Sequence, residues 1–132
     1  RQDAMALMAL LEEGGFSCVD LSSNELAKLH LRHMVGGRLP EAAPGQDPVP
    51  ERLYRFEFPE RPGALMAFVE ALHPGWTISI FHYRNQGSDV GRIVVGVQVP
   101  AEELEQWQQV LAGLPFQSWE ETNNPAYQLF LA

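Results

Sequence analysis

The sequence predicts an α+β fold: a βαββαβ plait with four strands in one antiparallel sheet and helices on one face, preceded by a partial second copy. Three observations carry it. From residue 52 onward, stretches of period 2 and period 3.6 follow one another in that order. A stretch rich in Pro and Gly separates them from what precedes. The first and last parts of the chain also match one another at an offset of one hundred residues.

The elements follow in chain order. Ala4, Leu7, Met8 and Leu11 recur at i, i+3, i+4, i+7, which predicts an amphipathic helix stopped by Gly14-Gly15. "FSCVDL" (16–21) reads as a short strand. In "SSNELAKLHLRHM", Ser22 or Ser23 is the expected N-cap of a second helix, with Leu26 and Leu29 on one face. Residues 36–51, "GGRLPEAAPGQDPVPE", hold four prolines and three glycines, a composition that suits a linker and not a ladder. In "RLYRFEF", Tyr54, Phe56 and Phe58 alternate with Leu53, Arg55 and Glu57, giving the first strand of the plait. "GALMAFVEAL" sets Leu65, Phe68, Val69 and Leu72 on one helical stripe. "WTISIFHYR" alternates again, with Trp76, Ile78 and Ile80 expected on one face and Thr77, Ser79, Phe81 and Tyr83 on the other. "NQGSD" is a hairpin connection into the β-branched strand "VGRIVVGVQV". "AEELEQWQQVLAGL" predicts a helix with Leu104, Trp107 and Leu111 inward, and "FQSWEE" the fourth strand.

The offset match pairs Leu7 with Trp107, Leu11 with Leu111, Phe16 with Phe116, Asn24 with Asn124, Leu29 with Leu129 and Leu31 with Leu131, without a gap. The expected organisation is therefore three parts: residues 1–35 as the C-terminal remnant of a first module, 36–51 as a linker, and 52–132 as a complete module. By the same match, "TNNPAYQLFL" should be a capped helical tail with Asn124 as N-cap and Pro125 in the first turn.

Bulk properties narrow the function. A length of 132 residues allows one domain or slightly more. Net charge is −8, with eight of nine bases Arg and Lys28 the only lysine, a balance that repels phosphate backbones and argues against nucleic acid as a partner. The single cysteine, Cys18, has no internal disulfide partner and suits a reducing, cytoplasmic location, as a buried structural thiol. No apolar run is long enough to span a bilayer, and "RQDAMALMALLEEGG" is unlike a signal peptide, so no membrane association is expected. It opens inside a helical pattern without Met, which reads as a chain cut from something longer.

The candidate chemistry is sparse. His30 and His33 stand three apart on a helix, but no Cys, Asp or Glu lies near them at ligand spacing, so surface or boundary histidines are the expectation and no metal site. His73 and His82 lie apart from them. Glu102, Glu103 and Glu105 are charges at a helix start, and Lys28 sits on the polar side of a helix. "GSDVG" lacks phosphate-loop spacing. No paired carboxylates or nucleophile stand out, so no catalytic residue is expected.

"FPERPGAL" (58–65) is the exception. Pro62 fixes φ after a strand, Gly63 permits close backbone approach, and the helix that follows presents free N–H groups and a positive dipole end suited to a carboxylate. An ordinary strand-to-helix turn explains the same residues.

"FPERPGALMAFVEAL" followed by "ISIFHYRNQGSDVGRIVVGVQV" resembles the C-terminal ACT-like (ferredoxin-like) regulatory domain of biosynthetic threonine deaminase (threonine dehydratase, L-threonine ammonia-lyase). "VDLSSNELAKLHLRHMVGGR" and "WEETNNPAYQLFLA" resemble it too, so the likeness covers nearly the whole chain. It implies a catalytic domain elsewhere in the same chain, using pyridoxal phosphate to turn threonine into 2-oxobutanoate and ammonia. It further implies isoleucine as inhibitor, valine as activator, and a homo-oligomer. The effector-binding residues it implies are Pro62, Gly63, Ala64, Leu65, Phe81, Tyr83 and Arg84. Backbone N–H groups at 63–65 would take the effector's carboxylate, Leu65 and Phe81 would wall its side chain, and Tyr83 would offer a hydroxyl. Arg84 would order the hairpin or an interface. On the expected alternation, Phe81 and Tyr83 face away from the helices, towards a neighbouring module. The alternative is an oligomerisation module that has kept no effector binding.

Overall fold

The structure, a computed structural model, describes residues 2–30, 42–85, 87 and 89–132. Its elements in chain order are α1 (Gln2–Glu13), α2 (Glu25–Leu29), β1 (Glu51–Pro59), α3 (Ala64–Ala71), β2 (Thr77–Arg84), β3 (Val90–Gln98), α4 (Leu104–Gly113), β4 (Gln117–Glu120) and α5 (Pro125–Phe130). The sheet runs β2-β3-β1-β4 with every neighbouring pair antiparallel. That is the predicted βαββαβ plait.

One face of the sheet carries the main core. Tyr54, Phe56 and Phe58 of β1 and Ile93, Val95 and Val97 of β3 meet Phe68 of α3 and Trp107 of α4, all at most 5% exposed. The rings interlock: Phe56 lies 5.0 Å from Phe68 and Tyr54 5.2 Å from Trp107, centroid to centroid. Each such side chain contributes roughly 1.5–3 kcal/mol by leaving water, which is why this layer defines the fold.

The second face is not bare. Leu53 of β1 and Val94 of β3 lie under Leu26 of α2 and Ala126, Tyr127 and Leu131 in and after α5. The two short helices start alike. Asn24 caps α2 by accepting from the Ala27 N–H, and Asn124 caps α5 by accepting from the Ala126 N–H. Their side-chain amides also bond reciprocally, Asn24 Nδ2 to Asn124 Oδ1 at 2.6 Å and Asn124 Nδ2 to Asn24 Oδ1 at 3.1 Å. The cap of α5 is therefore as predicted, whereas that of α2 is Asn24 in place of Ser22 or Ser23. Towards β4 this face is polar: Arg55 pairs with Glu121 at 3.3 Å and stacks 4.4 Å over Trp119, and Arg92 pairs with Glu57 at 3.5 Å.

Other expectations are corrected. Residues 16–21 form no strand, because no described strand pairs with them, and Phe16 and Val19 are exposed. Cys18 is accordingly not in a strand and is half-buried, with its thiol 3.7 Å from the Met8 carbonyl. His30 is fully buried and not a boundary residue; its Nδ1 lies 2.7 Å from Nδ1 of His82. Among the described residues no cluster of three or more His, Cys, Asp or Glu could hold a metal. His33, Leu31 and residues 36–41 of the linker lie outside the described residues, and 42–50 contain no helix or strand. No described helix is long and apolar enough to cross a membrane.

Candidate functional site

The turn between β1 and α3 is built by two residues. Pro62 precedes Gly63, whose φ of 83° is left-handed, a conformation open to Gly at no steric cost. α3 then starts without a side-chain cap. The Ala64 N–H reaches back to the Arg61 carbonyl at 3.2 Å and the Ala67 N–H to the Gly63 carbonyl at 2.9 Å, while the N–H groups of a helix's first turn have no partner within the helix.

β2 brings the second wall, and here the expected alternation fails. The pairing with β3 shifts register between Ile78 and Ile80, a β-bulge at Ser79. The extra residue reverses the faces of everything after it. Ile80 therefore packs with Leu53 and Val94 on the second face. Phe81 and Tyr83 pair with Val95 and Ile93, on the face that carries α3 and α4. They do not point away from the helices. Arg84, opposite Arg92, is turned to the other face.

The result is a cleft of about 410 Å³ between β1, β2 and the first turns of α3. Phe58, Leu65, Met66, Val69 and Tyr83 line it, with Glu60, Arg61 and Gly63 at the turn. Its apolar wall is unusual for a helix on a sheet. Of the predicted α3 stripe, Phe68 is buried, yet Leu65 is 38% and Val69 47% exposed, with Met66 beside them at 58%. That concentrates exposed apolar surface at one concave place.

Of the residues implied by resemblance, Gly63, Leu65 and Tyr83 meet in this cleft. Pro62 and Ala64 line an adjoining hollow of about 320 Å³ against Pro115 and Phe116, which shares Arg61 and Gly63 with it. Phe81 is exposed on the same face, two residues along the strand from Tyr83. Arg84 is not brought to the cleft. Phe58, Glu60, Arg61, Met66 and Val69 were not anticipated. Phe58 and Val69 read as core, Met66 falls off the predicted stripe, and Glu60 and Arg61 look like ordinary turn charges.

Glu60 is held in place. The Tyr83 hydroxyl donates to its Oε1, and its own N–H donates to the Asp89 carbonyl at 2.8 Å. That bond to a carboxylate is the main reason the Tyr83 phenol titrates above its usual range. The Tyr83 ring lies 6.1 Å from that of Phe58. The cleft thus joins a carboxylate, a guanidinium, an uncapped helix start and an aliphatic wall, an arrangement that can bind a small zwitterion.

Comparison with known proteins places the chain in a family. Residues 47–131 match the family described as the C-terminal regulatory domain of threonine dehydratase. The L-threonine dehydratase biosynthetic IlvA of Burkholderia multivorans is 49% identical over 132 residues, covering 100% of this chain and 25% of that protein. The enzyme of the same name from Escherichia coli is 44% identical over 131 residues, covering 99% and 24%. The mitochondrial threonine dehydratase of Saccharomyces cerevisiae is 44% identical over 127 residues, covering 95% and 20%. The chain thus spans about a quarter or less of the length of these relatives. A plait matched along most of its length by one regulatory family, and along its whole length by a relative named for the same enzyme, belongs to that family: the C-terminal regulatory domains of threonine dehydratase.

Proposed function

We propose that this chain senses isoleucine and valine, binding them in the cleft between α3 and β2 and so controlling a catalytic domain joined to it. The observation that carries the reading is the exposed apolar wall of Leu65, Met66 and Val69 beside the uncapped start of α3. An aliphatic side chain would lie on that wall. The α-carboxylate would meet the first-turn N–H groups and Arg61, where the dipole and a guanidinium both favour an anion. Isoleucine and valine differ by one methylene, about 0.8 kcal/mol of burial, so one site can serve both with modest preference. That fits two competing effectors.

The deamination of threonine belongs, in this proposal, to the catalytic domain, which would carry pyridoxal phosphate. The cleft does not fit that cofactor, because none of the described residues lining it is a lysine that could form the Schiff base. Residues 1–35 are read as the end of a preceding module; the mutual Asn24–Asn124 caps, at an offset of one hundred, support that reading. A cytoplasmic location is proposed with the enzyme.

Titration calorimetry of this chain with isoleucine and with valine tests the sensing role. Saturable heat that Tyr83→Ala weakens at least severalfold is expected; no heat with either amino acid would overturn it. An assembly role is the second reading, favoured by Met5, Leu7 and Leu10 of α1, which are 57–69% exposed. Concentration-dependent self-association without amino-acid binding would favour it.

A further inference from the structure

We propose that the Glu60 carboxylate receives the ammonium group of the bound amino acid, with Tyr83 and Gly91 as the residues that place it. The inference rests on the amino-acid reading of the cleft and assigns the end of the ligand that the helix start cannot hold. Among the described residues Glu60 is the only acid lining the cleft, and no ion pair between them reaches it. Its charge is therefore available to a cation. Arg61 and Gly63 at the α3 start line the same cleft as Glu60, so one α-amino acid can meet both charges with its side chain on Leu65, Met66 and Val69.

Two features aim the carboxylate. The Tyr83 hydroxyl donates to Oε1, which leaves the remaining lone pairs for the ligand. Beneath it, Gly91 sits opposite Phe58 in the β1–β3 register. A Cβ at Gly91 would collide with Glu60 Oε1 and come within 2.7 Å of Phe58 Cζ. Only a residue without a side chain lets the carboxylate lie against the strand and the Phe58 ring stay in the cleft. Gly91 and Tyr83 are positioning residues, and Glu60 is the contact. The pairing demands that the ligand carry an amino group, so the site discriminates amino acids from the corresponding carboxylic acids.

Calorimetry with isoleucine and with 3-methylpentanoic acid, its analogue lacking the amino group, tests this on the same chain. Wild type is expected to bind isoleucine about tenfold or more tightly than the analogue, the range of a charge-assisted bond. Glu60→Gln should remove that difference by weakening isoleucine alone. Gly91→Ala should do the same in part, with circular dichroism unchanged for Glu60→Gln as the control for folding. If wild type binds isoleucine and Glu60→Gln keeps the discrimination, the inference is overturned while the sensing role stands. If wild type binds neither compound, the amino-acid reading itself fails and this assignment with it.

Discussion

The segment α1–α2 and the segment α4–α5 share one sequence pattern at an offset of one hundred, yet they end in different environments. Trp107 of α4 is fully buried, whereas its counterpart Leu7 of α1 is 57% exposed. Phe116 packs beside the core, whereas Phe16 is 65% exposed. Further along, the two segments converge: α2 and α5 both start at an Asn cap, both bury residues against Leu53 and Val94, and the caps bond each other. The difference teaches that a periodic apolar stripe is enough to define a helix, but burying it requires a sheet underneath. α4 has that sheet, and among the described residues α1 does not.

The largest expected effect breaks this comparison if it fails. Trp107→Ala should cost about 3–5 kcal/mol in urea unfolding, and Leu7→Ala should stay within about 0.5 kcal/mol. Equal losses would mean that α1 is as buried as α4. Next comes acid. His30 is lowered from 6.5 to about 3, chiefly by burial, then by His82 and by Arg55, Arg84 and Arg92. The native state therefore keeps it neutral while the unfolded chain takes up a proton below about pH 6.5. Stability should be fully present above that pH and fall towards pH 3, by at most about 1.4 kcal/mol per pH unit. His30→Leu should flatten that slope in denaturation midpoints measured from pH 7 to 4; an unchanged slope would show that α2 is not docked through this residue.

A smaller effect sharpens the symmetric part. Asn24→Ala and Asn124→Ala should each cost about 1 kcal/mol or somewhat more, because each loses a cap. Because the amides also bond each other, the double variant should lose less than the sum, by about 0.5 kcal/mol or more in a double-mutant cycle. Strict additivity would leave them as two independent caps. The smallest change in stability is expected in the cleft. Val69→Ser should move unfolding by under about 0.5 kcal/mol, since its side chain is already exposed, while weakening isoleucine severalfold in calorimetry.

The plait itself was legible in the sequence. The order of elements, Trp107 inward and Asn124-Pro125 opening the last helix follow from local period and capping chemistry. The site was half legible. Gly63 and Leu65 stand in a turn whose backbone needs are written in Pro-Gly, and the family likeness added Tyr83. What alternation could not supply was the face of Tyr83. One bulged residue at Ser79 reverses a strand, and a bulge depends on pairing across β3 that no period in β2 reveals. Glu60 was equally hidden, because an acid in a turn looks the same whether it faces water or a cleft. His30 was misread for a related reason: its burial comes from β2, fifty-two residues away.

By itself, then, the sequence determined the order of strands and helices within the plait, the inward face of α4 and the Asn124-capped tail. These are properties of neighbours along the chain, governed by backbone preference and side-chain period. The tertiary structure alone decided which apolar residues of α3 stay exposed, which face Tyr83 shows, and that a glycine in β3 makes room for a carboxylate beyond β1. Those depend on register and on contacts between strands, and a shift of one residue reverses them.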